Sequence, residues 1–347
     1  MRPETGVRRR GPRAYAAAVR DLALLPKAHL HVHLESTVRP DTLAEIAAAN
    51  GLPVPARPAG PFAGFRAFAD HGSLVRECLV RPEDFHRIAV EFCADEAAQG
   101  TRWAEVTFTA ASHGERLGAP EMPLEAVLAG LAEGRAAYGV ECGVLLDHSR
   151  RRPVERARRT VELATRYAGD GVLGVGVAGE ESYPLAPFAE VFADAAEAGL
   201  HVVHHAGEIE GPGSVREAIT VGRAERLGHG VRVLEDPDLT AEVRERGIPL
   251  EVCPSSNVAL GLVDGLAAHP FPRLREAGLA VTLNTDIPSV TGTTLTDEYA
   301  RVREVFGYDD AALAGLARAS VDASFAPEAA KRALRRDVDA WLAGPAS

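Results

Sequence analysis

The sequence predicts a (β/α)8 barrel of the TIM type with extra C-terminal helices. Three observations lead there. Short apolar runs alternate with segments whose apolar residues recur at three-and-four spacing. Eight such runs can be counted, the number that closes a parallel barrel. Histidines and carboxylates gather at the ends of these runs, on the face where barrels of this kind carry their sites. At 347 residues the chain has a size that such barrels reach as one domain.

The predicted strands are 28–33, 102–108, 140–146, 172–177, 200–205, 225–228, 249–252 and 280–284. Helical periodicity covers 83–99, 124–138, 154–168, 188–198, 214–223, 237–246 and 267–277 between them, and several of these segments start after Pro, Asp or Ser. The tail from 296 to 343 reads as additional helices packed outside the barrel. Only the Pro/Gly/Ala stretch 51–64 has a linker-like composition. Residues 21–347 therefore form one domain. Residues 1–20, with arginines at 2, 8, 9, 10 and 13, read as a poorly ordered basic tail. No apolar stretch follows those arginines, so they do not open a secretion signal.

Composition narrows the function. A hydrophobic content of 46% and a charged content of 25% allow a large core. The net charge of -11 argues against a nucleic-acid or anionic-membrane surface. Nothing approaches the roughly 18 consecutive apolar residues of a membrane span. Cys78, Cys93, Cys142 and Cys253 lie far apart and form no CxxC pair, which suits reduced, buried thiols in a cytoplasmic protein. The expected partners are a small molecule and water, with no nucleic acid and no membrane; oligomeric state is open.

The polar residues at the strand ends form a pattern. His31 and His33 are two apart on a strand and share a face, while His29 shares that face one step deeper, as a buried hydrogen-bonding residue. His205 ends the fifth strand, and its neighbour His204 points the other way, into the packed layer. Asp286 follows the eighth strand. Alone it would read as a helix cap, but beside three imidazoles it reads as a fourth ligand. Glu208 follows His205 after an Ala-Gly step that lets the backbone turn, and His229 is flanked by Gly228 and Gly230. Three imidazoles and a carboxylate suit one Zn2+ with a position left for water; iron or manganese could use the same donors. A separate Glu and His beside the metal would supply the proton transfers of a hydrolysis.

These stretches, together with Pro26-Lys-Ala-His-Leu-His-Val-His-Leu-Glu35, Ala178-Gly179-Glu180, Glu251-Val-Cys-Pro-Ser-Ser-Asn257 and Leu283-Asn-Thr-Asp286, resemble the adenosine deaminase family of the amidohydrolase group. The resemblance runs from about residue 24 to 295 in the family's order. The H-x-E and P-C-x-x-C signature of the other zinc deaminases is absent. The resemblance implies that His31, His33, His205 and Asp286 bind zinc, and that Glu208 protonates the purine N1. It also implies that His229 orients the attacking water, that Asp286 accepts its proton, and that Gly179 approaches the purine through its backbone. The implied reaction converts a 6-aminopurine nucleoside or related compound to the 6-oxopurine and ammonia.

Three positions depart from the family pattern. Ile287 stands where a second Asp usually bonds N7 of the purine, Glu35-Ser36 where adenosine enzymes have Asp-Gly at the sugar, and His29 where Glu is usual. An unpaired N7 costs about 1–3 kcal/mol, so ordinary adenosine is expected to be a poor substrate. The alternatives are adenine, which Glu35 favours, an aminodeoxyfutalosine-like nucleoside, a 7-modified or 7-deazapurine, or another aminated heterocycle handled by a related metal-dependent hydrolase. A catalytically dead binding protein is disfavoured, because no member of the ligand and proton-transfer set is missing.

Overall fold

The computed structural model describes residues 19–56, 62 and 64–345. Apart from Val19 and Arg20, the predicted basic tail lies outside the described residues, as does much of the stretch 51–64. Arg20 is tied down, pairing with Asp310 at 2.9 Å and donating to the carbonyl of Trp341 at 3.0 Å.

Eight strands are present: β1 (Lys27–His33), β2 (Thr101–Phe108), β3 (Glu141–Ser149), β4 (Val172–Ala178), β5 (His201–Ala206), β6 (Arg226–His229), β7 (Leu250–Val252) and β8 (Val281–Leu283). Each pairs in parallel with the next, in sequence order. The predicted strands agree, except that β3 continues past 146 to Ser149. One short bridge closes the sheet, between Val32 of β1 and Asp286 just beyond β8. There the Asp286 amide donates to the His31 carbonyl and the His33 amide to the Asp286 carbonyl, each at 3.0 Å. The contact that completes the barrel therefore sets three candidate ligands side by side.

Alternation along β1 sends Leu30 and Val32 outward into apolar packing and His29, His31 and His33 inward. Between strands and helices lies a core that includes Phe85, Phe92, Val191, Phe192, Leu239 and Leu274. The barrel interior holds an ion network in place of an apolar layer. Arg226 donates to Glu105 at 2.5 Å and to Glu251 at 2.6 Å, and its guanidinium lies 3.8 Å from the centre of the Phe325 ring. Such a network stands only because every buried charge has a partner.

The C-terminal helices are present with one refinement. The helix Asp310–Ala323 packs directly on β8 and β1, the place of the eighth barrel helix, and Glu328–Ala343 packs against it as the extra layer. All four cysteines are free thiols. Among the described residues no helix is long and apolar enough to cross a membrane.

Candidate active site

At the C-terminal end of the barrel, His31, His33, His205 and Asp286 each offer a ligand atom, and these atoms all lie within 4.8 Å of one another. Two of the three imidazoles are fixed through their far sides. The Nδ1–H of His31 donates to Glu251 at 2.8 Å, and that of His205 to the carbonyl of Val177 at 3.0 Å. Their Nε2 atoms are left facing the centre. Asp286 is held by the Ser256 hydroxyl at 2.6 Å.

The donor set fits a divalent cation, and two observations argue for one. The His31 Nε2 is buried without a hydrogen-bond partner, and the Nε2 atoms of His33 and His205 approach to 3.2 Å. The local field also calls for positive charge. Burial opposes protonation of His31, yet the carboxylates of Asp286 and Glu251 beside it raise its pKa to about 10. Burial holds His205 well below the ordinary imidazole value, so it keeps a lone pair to give.

Facing this cluster are Glu208 and His229, 3.5 Å apart between Oε1 and Nε2. Burial, with Asp286 and Glu181 nearby, pushes the Glu208 carboxyl well above the usual carboxylate range. Burial pushes His229 down to about 3, so its imidazole is neutral. Its tautomer follows from a chain of hydrogen bonds. The Phe271 amide donates to His269 Nδ1 at 3.1 Å, which makes His269 Nε2 the donor to Asn257 Oδ1 at 3.0 Å. Asn257 Nδ2 then faces His229 Nδ1 at 3.4 Å and Glu208 Oε1 at 3.5 Å. The proton of His229 thus sits on Nε2, which is buried, without a partner, and 3.9 Å from Asp286 Oδ2.

The backbone is bent to present these groups. His229 and Asp286 adopt left-handed conformations with φ of 64° and 62°, rare for residues other than glycine and a recurring mark of functional positions. Gly207 has φ of 68°, and a Cβ there would lie 2.4 Å from Val215. The turn it permits carries Glu208 back to the cavity. Glu181 anchors that turn by accepting the amides of Gly207, Glu208 and Ile209 at 2.7, 2.9 and 2.7 Å. A Cβ at Gly228 would lie 2.8 Å from the His31 ring, so only glycine leaves that ring its place.

An open cavity of about 1250 Å3, part of it bulk solvent, leads to the cluster. Glu35, Gly179 and Ile287 are among its lining residues. Glu35 is committed on one oxygen, accepting the Thr109 amide at 3.2 Å and His113 Nε2 at 3.1 Å. Burial opposes its ionisation, but His113 and Arg76 bring its pKa down to about 2. Ile287 is buried and offers the cavity only hydrocarbon. His29 and His204 are satisfied away from the centre, the first by Glu96 at 2.9 Å, the second by the Gly222 carbonyl at 2.9 Å.

Sequence reasoning singled out neither Glu181 nor His269, and gave no roles to Glu251, Ser256 and Asn257 within the stretch it quoted. A buried Glu inside an apolar strand was the one available signal for Glu251. For His269, distant in sequence and on no strand, there was none.

The adenosine deaminase family model matches residues 26–341 of this chain. A putative adenosine/adenine deaminase of Streptomyces coelicolor is 38% identical over 338 residues, covering 93% of this chain and 98% of that protein. The crystal structure of adenine deaminase from Arthrobacter aurescens superposes with a TM-score of 0.86 at 30% identity, over 92% of this chain and 99% of the other. A zinc-bound amidohydrolase from Burkholderia ambifaria superposes with a TM-score of 0.83 at 26% identity, over 93% and 94%.

Proposed function

Because the chain belongs to the adenosine deaminase family, we propose that it is a metal-dependent hydrolase that removes the exocyclic amine of a 6-aminopurine. Water adds to C6, the C6–N bond breaks, and ammonia leaves a 6-oxopurine. The observation that carries this reading is the convergence of His31, His33, His205 and Asp286 within 4.8 Å, opposite the Glu208–His229 pair.

In this reading those four residues hold zinc. When bound, such a cation supplies Lewis acidity that brings the pKa of a water toward about 7. The side chains divide the remaining work. His229 Nε2–H and Asp286 Oδ2 face each other at 3.9 Å, so a water between them finds a donor and a proton acceptor. Glu208, kept protonated by its surroundings, delivers its proton to the ring nitrogen next to C6. That offsets the loss of aromaticity as C6 becomes tetrahedral. Gly179 and Ile287 lie along the purine, and the ring presents N7 to the apolar side chain of Ile287.

The similar proteins carry the names of adenosine/adenine and adenine deaminases, which supports an aminopurine whether or not it bears a sugar. Ammonia release by zinc-loaded protein from adenine, adenosine and modified aminopurine nucleosides tests the reading. A chelator should abolish turnover and added zinc restore it. Glu208→Gln should lower kcat by roughly 10²–10⁴-fold with metal content unchanged. Failure to release ammonia from any 6-aminopurine sinks the proposal.

A further inference from the structure

Toward the mouth of the cavity the lining becomes basic. Arg76 comes from the helix Phe65–Cys78, Arg151 and Arg152 from the turn after β3, and Arg156 from the helix Val154–Arg166; all four line the cavity that holds Glu208 and Asp286. Arg156 pairs with Glu115 at 2.6 Å. Among the described residues, Arg76, Arg151 and Arg152 have no carboxylate within ion-pair distance. Two carboxylates of the same lining are paired with other groups, Glu180 with Arg66 at 2.6 Å and Glu35 with His113 at 3.1 Å. A third, Asp147, is buried and held by its surroundings above the usual carboxylate range, which leaves little negative charge to offset the arginines.

His148, on β3 beside these arginines, is 3% exposed and lines the same cavity, yet its Nε2 has no hydrogen-bond partner. Burial, helped by Arg156 and Arg152, keeps this imidazole near a pKa of about 4, so it is neutral at pH 7. A buried polar atom without a partner is costly unless a ligand satisfies it. The patch also runs against the charge of the whole chain, which is -11. Basic clefts of this kind concentrate anions, and arginine grips phosphate and carboxylate with paired donors. A neutral purine or ribose would leave these groups unused.

We infer that Arg76, Arg151, Arg152 and His148 form an anion subsite, and that the preferred substrate is an aminopurine whose sugar-side extension ends in a phosphate or carboxylate. This rests on the deaminase reading for the inner end of the cavity.

Calorimetric titration of the full chain with inosine, inosine 5′-monophosphate and inosine 5′-carboxylic acid tests it without turnover. At least one anionic ligand should bind about tenfold or more tighter than inosine, and the tighter of the two names the anion. In an Arg151→Gln/Arg152→Gln double variant that ratio should fall toward one; both residues are exposed, and circular dichroism checks the fold. Anionic ligands that bind no better than inosine, or a preference that survives in the double variant, would overturn the inference. Failure of the deaminase reading shows separately, as absence of ammonia from every aminopurine tried.

Discussion

The Glu251 carboxylate accepts the Nδ1–H of His31 at 2.8 Å, and its other oxygen is held by Arg226 at 2.6 Å. A residue of β7 thus decides which nitrogen of a β1 histidine faces the centre, and the ion network inside the barrel decides where that residue sits. Partners of this kind fix tautomer and ring orientation in metal-binding histidines.

Glu251→Gln should weaken metal binding by roughly 10–100-fold, read by competition with a chromogenic chelator. The amide keeps an acceptor for His31 but loses the charge that Arg226 pairs with, so a lower melting temperature should accompany the change. Unaltered metal affinity would assign the pair to stability alone.

His269 touches neither candidate ligands nor cavity, yet it orients Asn257 and through it His229. His269→Leu should lower kcat by roughly 10–100-fold while metal content stays at the wild-type level. His269→Gln, whose amide can still donate to Asn257, should recover part of that loss. Equal activity of both variants would show that the His229 tautomer is set in another way.

Ile287 presents an apolar wall to the cavity, and in the proposed reaction the purine N7 edge meets it. Removing N7 should therefore cost little, so 7-deazaadenosine should be turned over with a kcat/KM within about threefold of adenosine, well short of the ~1–3 kcal/mol of a lost hydrogen bond. A drop of two orders of magnitude would mean that another group reaches N7.

Acid should destabilise the fold through its buried neutral imidazoles. Burial pushes His204 down to about 3 and His269 to about 4. In the unfolded chain an imidazole titrates near 6.5, so above that pH neither state binds the extra proton and these groups contribute no slope. Below it the unfolded state binds more protons, and stability falls with pH by about 1.4 kcal/mol per unit for each group until the folded pKa is reached. Melting temperatures recorded from roughly pH 7.5 to 5 should decline, and less steeply in His204→Gln. An equal slope in that variant would remove His204 from the account.

The sequence by itself determined the barrel and the inner chemical set. Strand alternation fixes which histidines of β1 face inward, and the count of strands fixes closure, because both depend on local periodicity. His31, His33, His205, Glu208, His229 and Asp286 were all legible, since each ends or follows an apolar run. The tertiary structure alone decided how those groups are tuned. Glu251 meets His31 across 220 residues of sequence, Glu181 meets Gly207 across 26, and His269 meets Asn257 across 12 and through it His229 across a further 28, and no periodicity encodes such meetings. It also brought Arg76 of one helix to the same cavity as Arg151 and Arg152 of another segment. Charges separated along the chain become a field only when folding sets them around one space.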